Sequence, residues 1–242
     1  MKAFLLAAGH GTRLRPITDA LPKCLVPIQG TPLLKIWLEL CRAAGVEQIL
    51  LNIHAHAVIV EDWISKNDLG GMQIRLSHEP VLLGSAGTLS ANRDWVGSDP
   101  DFLVLYADVL TNVRLRPLIE SHRKLRPAAT IGLYQVPDPT RCGIVVFDAE
   151  NRVTEFVEKP SQPRCNWAFS GVMVAGQSLL EYIPDTRPAD IGFHVLPQLA
   201  EKMRAYPLAD YLIDIGTLDN YERAQHTWPG LHAQDPSHFI AR

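Results

Sequence analysis

The chain has 242 residues, of which 47% are hydrophobic and 20% charged, and its formal net charge is −3. This length and composition are those of a globular protein with one large α/β domain. The charge balance gives no overall attraction to nucleic acid or to a membrane surface, so an anionic ligand must be met by local cations.

The first predicted element is the apolar run of residues 3–8, which is typical of a buried strand in an α/β sheet. It ends in Gly9-His10-Gly11-Thr12-Arg13, where glycines permit left-handed backbone angles and close approach of a ligand to the main chain. Successive N–H groups in such a turn can converge on phosphate oxygens, and Arg13 and Lys23 supply cations. Taken alone, these residues fit a simple tight turn equally well, because a third glycine or a GK[ST] is missing.

Strands and helices then alternate along the chain. We predict strands at 48–53, 73–78, 102–106 and 129–136, helices at 32–44, 57–65 and 115–125, and a further helix that follows the loop 79–88 and runs to about residue 95. This alternation predicts an α/β fold with a Rossmann-like, mostly parallel sheet sandwiched by helices. Ligands of such sheets bind beyond the carboxyl ends of the strands, where the glycine turn lies.

Acidic residues follow two of these strands. Glu79 opens the loop Glu-Pro-Val-Leu-Leu-Gly-Ser-Ala-Gly-Thr, in which Ser85 or Thr88 is a candidate helix cap. The loop resembles the base-recognition loop of the sugar-1-phosphate nucleotidylyltransferases, which implies that Glu79 contacts the base of a nucleotide. A carboxylate only accepts hydrogen bonds, so in that role it suits the two donors of guanine better than the single N–H of uracil or thymine, unless backbone groups of the loop bind the base instead. Asp108 ends the strand 102–106, where it either binds a ligand or caps the next turn.

The second part of the chain is less regular. Residues 144–147 and 153–157 predict a small antiparallel hairpin, and 178–183 and 191–204 predict helices. A strand at 207–213 ends in Asp214-Ile215-Gly216-Thr217, and a helix follows in which Thr217 is a candidate cap. We predict a single domain over residues 1–228 and a tail at 229–242, without hexapeptide repeats.

Several of these strings resemble the sugar-1-phosphate nucleotidylyltransferases, or NDP-sugar pyrophosphorylases, and most closely the mannose- and heptose-1-phosphate guanylyltransferases. They are L-A-A-G-x-G-T-R-L-x-P-x-T, P-K-x-L-x-P-I-x-G-x-P-L-L, E-P-x-x-L-G-[ST]-A-G, Y-A-D-V-L around Asp108, G-I-V-x-x-D-x-x-x-R-V-x-x-F-x-E-K-P and D-x-G-T. The resemblance covers about residues 1–225 and implies a nucleotide-binding half at 1–111 and a sugar-binding half at 112–228.

The resemblance also implies roles for individual residues. Nucleotide binding is implied for Leu6, Ala8, Gly9, Gly11, Thr12, Arg13, Lys23, Glu79, Gly84, Ala86 and Gly87. Binding of the sugar and its phosphate is implied for Gly143, Glu158, Lys159, Ser170 and Gly171. Asp108 and Asp214 are the implied ligands of Mg²⁺, and they are expected to be catalytic together with Arg13 and Lys23. The chain departs from the family pattern at Ala107, where most members have glycine, and at Phe169, where many have asparagine.

The implied reaction transfers a nucleoside monophosphate from an NTP, with GTP as the first choice, to a mannose-, heptose- or related cyclitol phosphate. A uridylyl- or thymidylyltransferase of the same fold is the main alternative. A catalytically silent nucleotide-sugar-binding regulatory subunit is disfavoured, because Asp108, Asp214, Arg13 and Lys23 are all present. A glycosyltransferase is disfavoured by the lack of D-x-D at the strand end.

The cysteines, the start of the chain and the resemblance also lead to expectations about location and assembly. The four cysteines lack CxxC or Cys/His ligand spacing, which favours reduced thiols over a zinc site. Lys2 directly precedes the first strand, which leaves no room for a removable signal peptide. We therefore expect a cytoplasmic protein that binds neither nucleic acid nor membrane. A homodimer is expected from relatives of this size.

Overall fold

The computed structural model describes residues 1–231. Its strands are β1 (Lys2–Leu6), β2 (Pro27–Ile28), β3 (Thr31–Pro32), β4 (Gln48–Ile53), β5 (Gln73–His78), β6 (Asp101–Tyr106), β7 (Val109–Thr111), β8 (Ala129–Gln135), β9 (Gly143–Phe147), β10 (Val153–Glu158), β11 (Trp167–Gly176), β12 (Met203–Pro207) and β13 (Leu212–Asp214). Its α-helices are α1 (Ile17–Ala20), α2 (Leu33–Ala43), α3 (Ala57–Lys66), α4 (Ser85–Ala91), α5 (Arg93–Val96), α6 (Leu115–Leu125) and α7 (Leu218–Thr227).

The main sheet has the strand order β10-β9-β11-β6-β1-β4-β5, with β8 paired to β11 and β12 paired to β8. Strands β5, β4, β1 and β6 are mutually parallel, and β12 is parallel to β8. Strand β11 runs antiparallel to β6, and β9 and β10 form the small antiparallel hairpin. The predicted Rossmann-like, mostly parallel sheet with a hairpin is confirmed.

Buried side chains on the two faces of this sheet form two cores. Because successive side chains of a strand point to opposite faces, Ala3 and Leu5 of β1 enter one core and Phe4 enters the other. The first core is covered by α2, which buries Leu33, Leu34, Ile36, Trp37, Leu38, Leu40 and Cys41. The second core packs against α4 and the segment around residues 189–199. The helices therefore lie on both faces of the sheet, as an α/β fold requires.

The prediction of one helix over residues 191–204 is wrong. The chain makes a π-helical turn at Ile191–Val195 and a 3-10 turn at Leu196–Leu199, and then enters β12. Pro197 has no N–H group with which to continue an α-helix, which explains the break. The strand predicted at 207–213 begins only at Leu212, and no strand was predicted where β11 lies.

The predicted tail spans residues 229–242, and its part from residue 232 onward lies outside the described residues. Its described part is not detached, because Leu231 packs against the first core beside the buried Trp228. In residues 1–231, no helix is long and apolar enough to cross a bilayer.

Candidate active site

A buried asparagine connects the glycine turn to the loop after β5. Asn52 lies at the carboxyl end of β4 with 3% of its surface exposed. Its Oδ1 accepts hydrogen bonds from the N–H groups of Ala7 (2.7 Å) and Ala8 (3.2 Å), and its Nδ2 donates to Glu79 Oε1 (2.9 Å) and Thr88 Oγ1 (3.0 Å). One amide therefore fixes the start of the glycine turn and the acidic residue of the neighbouring loop.

The glycine turn presents free main-chain donors at the carboxyl edge of the sheet. Across the described chain, the N–H groups of Gly9, His10 and Gly11 donate to no other residue. Gly11 has φ +61°, and a Cβ there would lie 2.9 Å from Thr18 Cγ2. Thr18 Oγ1 also donates to the Gly11 carbonyl at 2.8 Å. The turn is therefore held by Thr18 on one side and leaves its N–H groups available for an anion.

The two aspartates predicted to bind metal lie together. Strand β13 pairs with β7 so that Asp214 is opposite Val109, and the N–H of Ile215 donates to the Asp108 carbonyl at 3.1 Å. Lys23 Nζ is 2.9 Å from Asp108 Oδ2 and 3.8 Å from Asp214 Oδ1, with 13% of the Lys23 side chain exposed. Asp108 and Asp214 follow Lys23 by 85 and 191 positions in the sequence, and both carboxylates converge on its ammonium group.

Arg13 also belongs to this charged cluster, because its guanidinium group lies beside Gly216 and Asp214. The N–H of Gly216 donates to Asp214 Oδ1 at 2.7 Å. A Cβ on Gly216 would lie 2.8 Å from that oxygen and 3.0 Å from a guanidinium nitrogen of Arg13. Burial and the nearby Asp108 raise the pKa of Asp214, while Lys23, the Gly216 N–H and Arg13 oppose the shift. Burial and Asp108 thus disfavour the charge of Asp214, and its two cationic neighbours offset part of that cost.

The aspartate pair suits a cation that is shared with a ligand. Mg²⁺ takes oxygen ligands and is commonly held by one or two carboxylates together with substrate phosphates. No group of three or more His, Cys, Asp or Glu residues that could hold a metal is found in the described part of the chain. Asp108 and Asp214 are thus suitable protein ligands, and the remaining positions would be filled by phosphate oxygens and water.

Glu79 is predicted to bind the nucleotide, but its side chain is buried and hydrogen-bonded to protein groups. It is 3% exposed, its Oε1 also accepts from Thr88 Oγ1 at 2.5 Å, and its Oε2 accepts from the Leu83 N–H at 3.0 Å. Protein donors therefore use most of its acceptor capacity, although the residue borders the cavity. Ala86 and Gly87 are also engaged, because both N–H groups donate to the Ala189 carbonyl, at 2.9 and 3.1 Å.

Three of the residues predicted to bind the sugar and its phosphate, Gly143, Glu158 and Lys159, lie around the end of β10. A Cβ on Gly143 would lie 2.6 Å from Glu158 Oε2, so the absence of a side chain leaves room for this carboxylate. Lys159 Nζ lies 3.8 Å from Glu158 Oε1 and 5.3 Å from the centre of the Phe193 ring. Burial raises the pKa of Glu158, Lys159 opposes the shift and Asp190 adds to it. Gly143, Glu158 and Lys159 are therefore brought together.

Ser170 and Gly171 have different surroundings. Ser170 is 2% exposed, and its Oγ accepts from the Val172 N–H at 3.2 Å. The structure places this hydroxyl in the protein interior and not on the cavity wall. Gly171 has φ +76°, and a Cβ there would lie 2.9 Å from Tyr106 Cβ, so this glycine permits close packing on Tyr106.

A cavity of about 250 Å³ lies between the glycine turn, the loop after β5 and Asp108, and the predicted sugar-side residues Gly143, Glu158 and Lys159 do not line it. The predicted residues that line it are Leu6, Ala8, Gly9, Lys23, Glu79, Gly84 and Asp108, and the lining residues for which no role was predicted are Ala7, Cys24, Asn52, Leu82, Ser85, Tyr106, Ala107 and Asp190. Asn52 carried a usable signal, because it is a polar residue inside an apolar strand. Asp190 carried no signal for a role in the site, because it lies directly before the helix predicted at 191–204, where an aspartate is an ordinary helix cap.

Cys24 borders the cavity, but its thiol is not reactive in this environment. Burial raises its pKa to about 12, while a backbone hydrogen bond lowers it slightly. A thiol with such a pKa stays protonated at neutral pH and is a weak nucleophile. Cys24 therefore has a packing role.

Comparisons with known proteins agree with this geometry. The family described as "Nucleotidyl transferase" matches residues 2–229. A probable mannose-1-phosphate guanylyltransferase 2 of Arabidopsis thaliana is 36% identical over 231 residues, which cover 91% of this chain and 63% of the relative. A UTP–glucose-1-phosphate uridylyltransferase of Synechocystis sp. is 32% identical over 241 residues, which cover 93% of this chain and 62% of the relative.

A solved structure shows the same fold. HddC from Yersinia pseudotuberculosis, complexed with GMP-PN, superposes with a TM-score of 0.78 at 26% identity, over 94% of this chain and 99% of that one. The chain spans about three-fifths of the length of the curated relatives it matches. With the family match over nearly all of its residues, the chain belongs to the nucleotidyl transferase family.

Proposed function

We propose that this protein transfers a nucleoside monophosphate from an NTP to a sugar-1-phosphate and releases pyrophosphate. The observation that carries the proposal is the convergence of Asp108 and Asp214 on Lys23, beside a glycine turn with free N–H groups. The relatives, named as mannose-1-phosphate guanylyltransferases and as a glucose-1-phosphate uridylyltransferase, support the same class of reaction.

The residues of the site suit a reaction between two anions. A sugar phosphate oxygen is already ionised at neutral pH, so no general base has to activate it. The barrier is the repulsion between this oxygen and the triphosphate, which fixed cations reduce while they hold the groups in line. In the proposed mechanism Arg13 and Lys23 stabilise the triphosphate and the departing pyrophosphate, and Lys159 orients the incoming phosphate.

Mg²⁺ is the metal that the donor set fits. Asp108 and Asp214 would hold it, and the bound ion would neutralise charge on the phosphates. Lys23 contacts both carboxylates and keeps their charge balanced in the free protein. We therefore expect activity to require Mg²⁺ and to be lost on chelation.

GTP is the preferred donor in this proposal. The named guanylyltransferase relatives support it, whereas Glu79 adds little support because protein donors use most of its acceptor capacity. The uridylyltransferase relative keeps UTP as the alternative. Pyrophosphate release measured with GTP, UTP, dTTP, CTP and ATP, each with mannose-, heptose- and glucose-1-phosphate, would identify the pair. Binding of these substrates with no pyrophosphate release from any pair would favour a regulatory subunit.

The role of the aspartates is tested by Asp108→Asn. We expect the variant to keep its fold and to lose Mg²⁺-dependent pyrophosphate release by about 10²–10³-fold, the usual effect of removing one group that stabilises transition-state charge. Asp62→Asn is the matched control, because Asp62 is an exposed residue of α3 that pairs with Lys66. Wild-type activity in Asp108→Asn would refute the assignment.

A further inference from the structure

An acidic residue of the 189–193 segment borders the cavity and has no role in the proposed chemistry so far. Asp190 Oδ2 accepts from Ser85 Oγ at 2.9 Å, and its Oδ1 accepts from the Phe193 N–H at 3.1 Å. The N–H of Ile191 donates to the same Ser85 hydroxyl at 2.8 Å. These bonds fix the Asp190 carboxylate at the wall of the cavity.

The carboxylate of Glu158 lies close to that of Asp190. A Cβ placed on Gly192 would contact Glu158 Oε2 and would lie 3.3 Å from Asp190 Oδ1. The two carboxylates thus flank one residue that has no side chain to separate them. Although 85% of the Glu158 side chain is covered, no donor among residues 1–231 hydrogen-bonds to its oxygens. Hydroxyl groups of a ligand can supply the missing donors.

The charges around this pair leave an excess of negative charge. Lys159 is the nearby cation, at 3.8 Å from Glu158 Oε1. Burial raises the pKa of Tyr106 well above its usual range, so the phenol remains neutral. His194 Nδ1 lies 2.9 Å from the Asp190 N and 3.2 Å from the Asp190 carbonyl oxygen, so this ring nitrogen contacts the main chain of Asp190 and not its carboxylate. When Lys159 binds the phosphate of an acceptor, two negative charges remain beside it, Asp190 at the wall of the cavity and Glu158 next to Gly192.

We propose that Asp190, acting with Glu158, selects sugar-1-phosphates whose ring carries no negative charge and rejects those with a ring carboxylate or a second phosphate. Hydroxyl groups donate hydrogen bonds to the two carboxylates, whereas a further anion is repelled by both of them. The inference rests on the proposed function, since it assigns the acceptor class of the same site. Asp190 is a specificity-determining residue in this account.

The experiment compares glucose-1-phosphate with glucuronic acid-1-phosphate, and mannose-1-phosphate with mannuronic acid-1-phosphate. We expect wild-type kcat/KM to favour the neutral sugar by about 10²-fold or more, and Asp190→Asn to reduce this preference by about tenfold. The KM for the NTP should change little. Asn has the same shape and retains an acceptor oxygen for the Phe193 N–H, so the turn at 191–195 is preserved.

Ser85→Ala tests whether the preference depends on the charge of Asp190 or on its hydrogen bond to Ser85. This variant loses the bond from Ser85 to Asp190 but keeps the carboxylate, so a purely structural role of Asp190 predicts the same change in preference for both variants. Our proposal predicts that only Asp190→Asn changes the preference. An unchanged preference in Asp190→Asn, or equal use of both acceptors by the wild type, would overturn the inference.

Calorimetric binding of the same four phosphates distinguishes this inference from the proposed function. If no pair of substrates is turned over, but the neutral phosphates bind and Asp190→Asn alone gains binding of the uronic acids, then the proposed function fails and the inference stands. If turnover is found and Asp190→Asn keeps the wild-type preference, then the inference fails and the function stands. Binding of none of the four phosphates would refute both.

Discussion

Gly216 is confined between two charged groups of the site. A Cβ at this position would lie 2.8 Å from Asp214 Oδ1 and 3.0 Å from the Arg13 guanidinium. In Gly216→Ala the added methyl group must displace one of them, and a shift of about 1 Å at a reacting centre can cost about 10²-fold in rate. We expect pyrophosphate release to fall by about this factor, with the circular dichroism spectrum unchanged.

Gly176→Ala is the matched control for that substitution. A Cβ at Gly176 would meet its nearest atoms at 3.5–3.9 Å, which is ordinary contact, and the residue is not in the left-handed region. We expect this variant to retain its activity and stability. Full activity in Gly216→Ala would show that Arg13 and Asp214 can separate without consequence.

The Glu158 carboxylate should lower stability at neutral pH. Burial raises its pKa above 4.5, Lys159 opposes the shift and Asp190 adds to it, so the folded protein binds this proton more tightly than the unfolded chain does. The contribution of this group to the free energy of unfolding therefore falls as pH rises from 4.5 through its higher folded-state pKa. We expect Glu158→Gln to be at least as stable as the wild type at pH 7 while losing activity.

Urea unfolding at pH 7 and at pH 4.5 measures this effect. The advantage of Glu158→Gln should shrink as the pH falls, because the wild-type carboxyl then becomes protonated. Glu155→Gln is the control, since Glu155 forms a surface ion pair with Arg164 and such pairs contribute little. A Glu158→Gln variant that is clearly less stable at pH 7 would contradict the prediction.

At the scale of single residues, the sequence is informative where a motif is local. Lys23, Asp108 and Asp214 were identified from short strings, and the structure brings them together. The contact between Asp190 and Ser85 could not be found in this way, although Ser85 stands in the string E-P-x-x-L-G-[ST]-A-G. Their hydrogen bond joins positions 105 residues apart, and neither residue belongs to a pattern that predicts such a contact.

At the scale of elements, helix α2 holds the strand that follows Asp108. Trp37 Nε1 donates to the Val109 carbonyl at 2.9 Å, and both groups are buried. In Trp37→Phe this carbonyl loses its donor, at a cost of about 1–3 kcal/mol for a buried unsatisfied group. We expect a loss of stability of this size in urea unfolding, together with a smaller loss of activity because β7 is less firmly placed.

Trp63→Phe is the comparison for Trp37→Phe. Trp63 is a partly exposed residue of α3 whose indole N–H has no hydrogen-bond partner in the described chain. The substitution removes similar volume without leaving an acceptor unpaired. Equal destabilisation by the two variants would show that packing, and not the hydrogen bond, accounts for the effect.

Elements were predictable where the hydrophobic pattern alone decides them. Strands β1, β4 and β6 are apolar runs buried on both faces, and their positions were predicted within two residues. Strand β12 was missed because it is defined by parallel pairing with β8, which has no local signal. The break before it at Pro197 could have been recognised, because proline removes an N–H that a helix needs.

At the scale of the whole molecule, the two predicted halves share both cores. The first core combines Leu5 and Ile49 with Val174 and Ile215. The second combines Leu50, Phe102 and Val104 with Ala129, Ile131 and Leu133. Strand β6 of the nucleotide-binding half is paired on one side with β1 and on the other with β11 of the sugar-binding half. Neither half can complete its core alone.

We therefore expect residues 1–111, expressed as a fragment, to show no cooperative unfolding transition. Without β11 one side of β6 is an unpaired edge, and Leu105 and Leu103 lose the apolar partners that Val172 and Val174 supply in the first core. The full chain should unfold in one transition that coincides by circular dichroism and tryptophan fluorescence. A folded fragment, or two separate transitions in the full chain, would mean that the nucleotide-binding half is a domain of its own, and the predicted single domain would then have to be divided near residue 111.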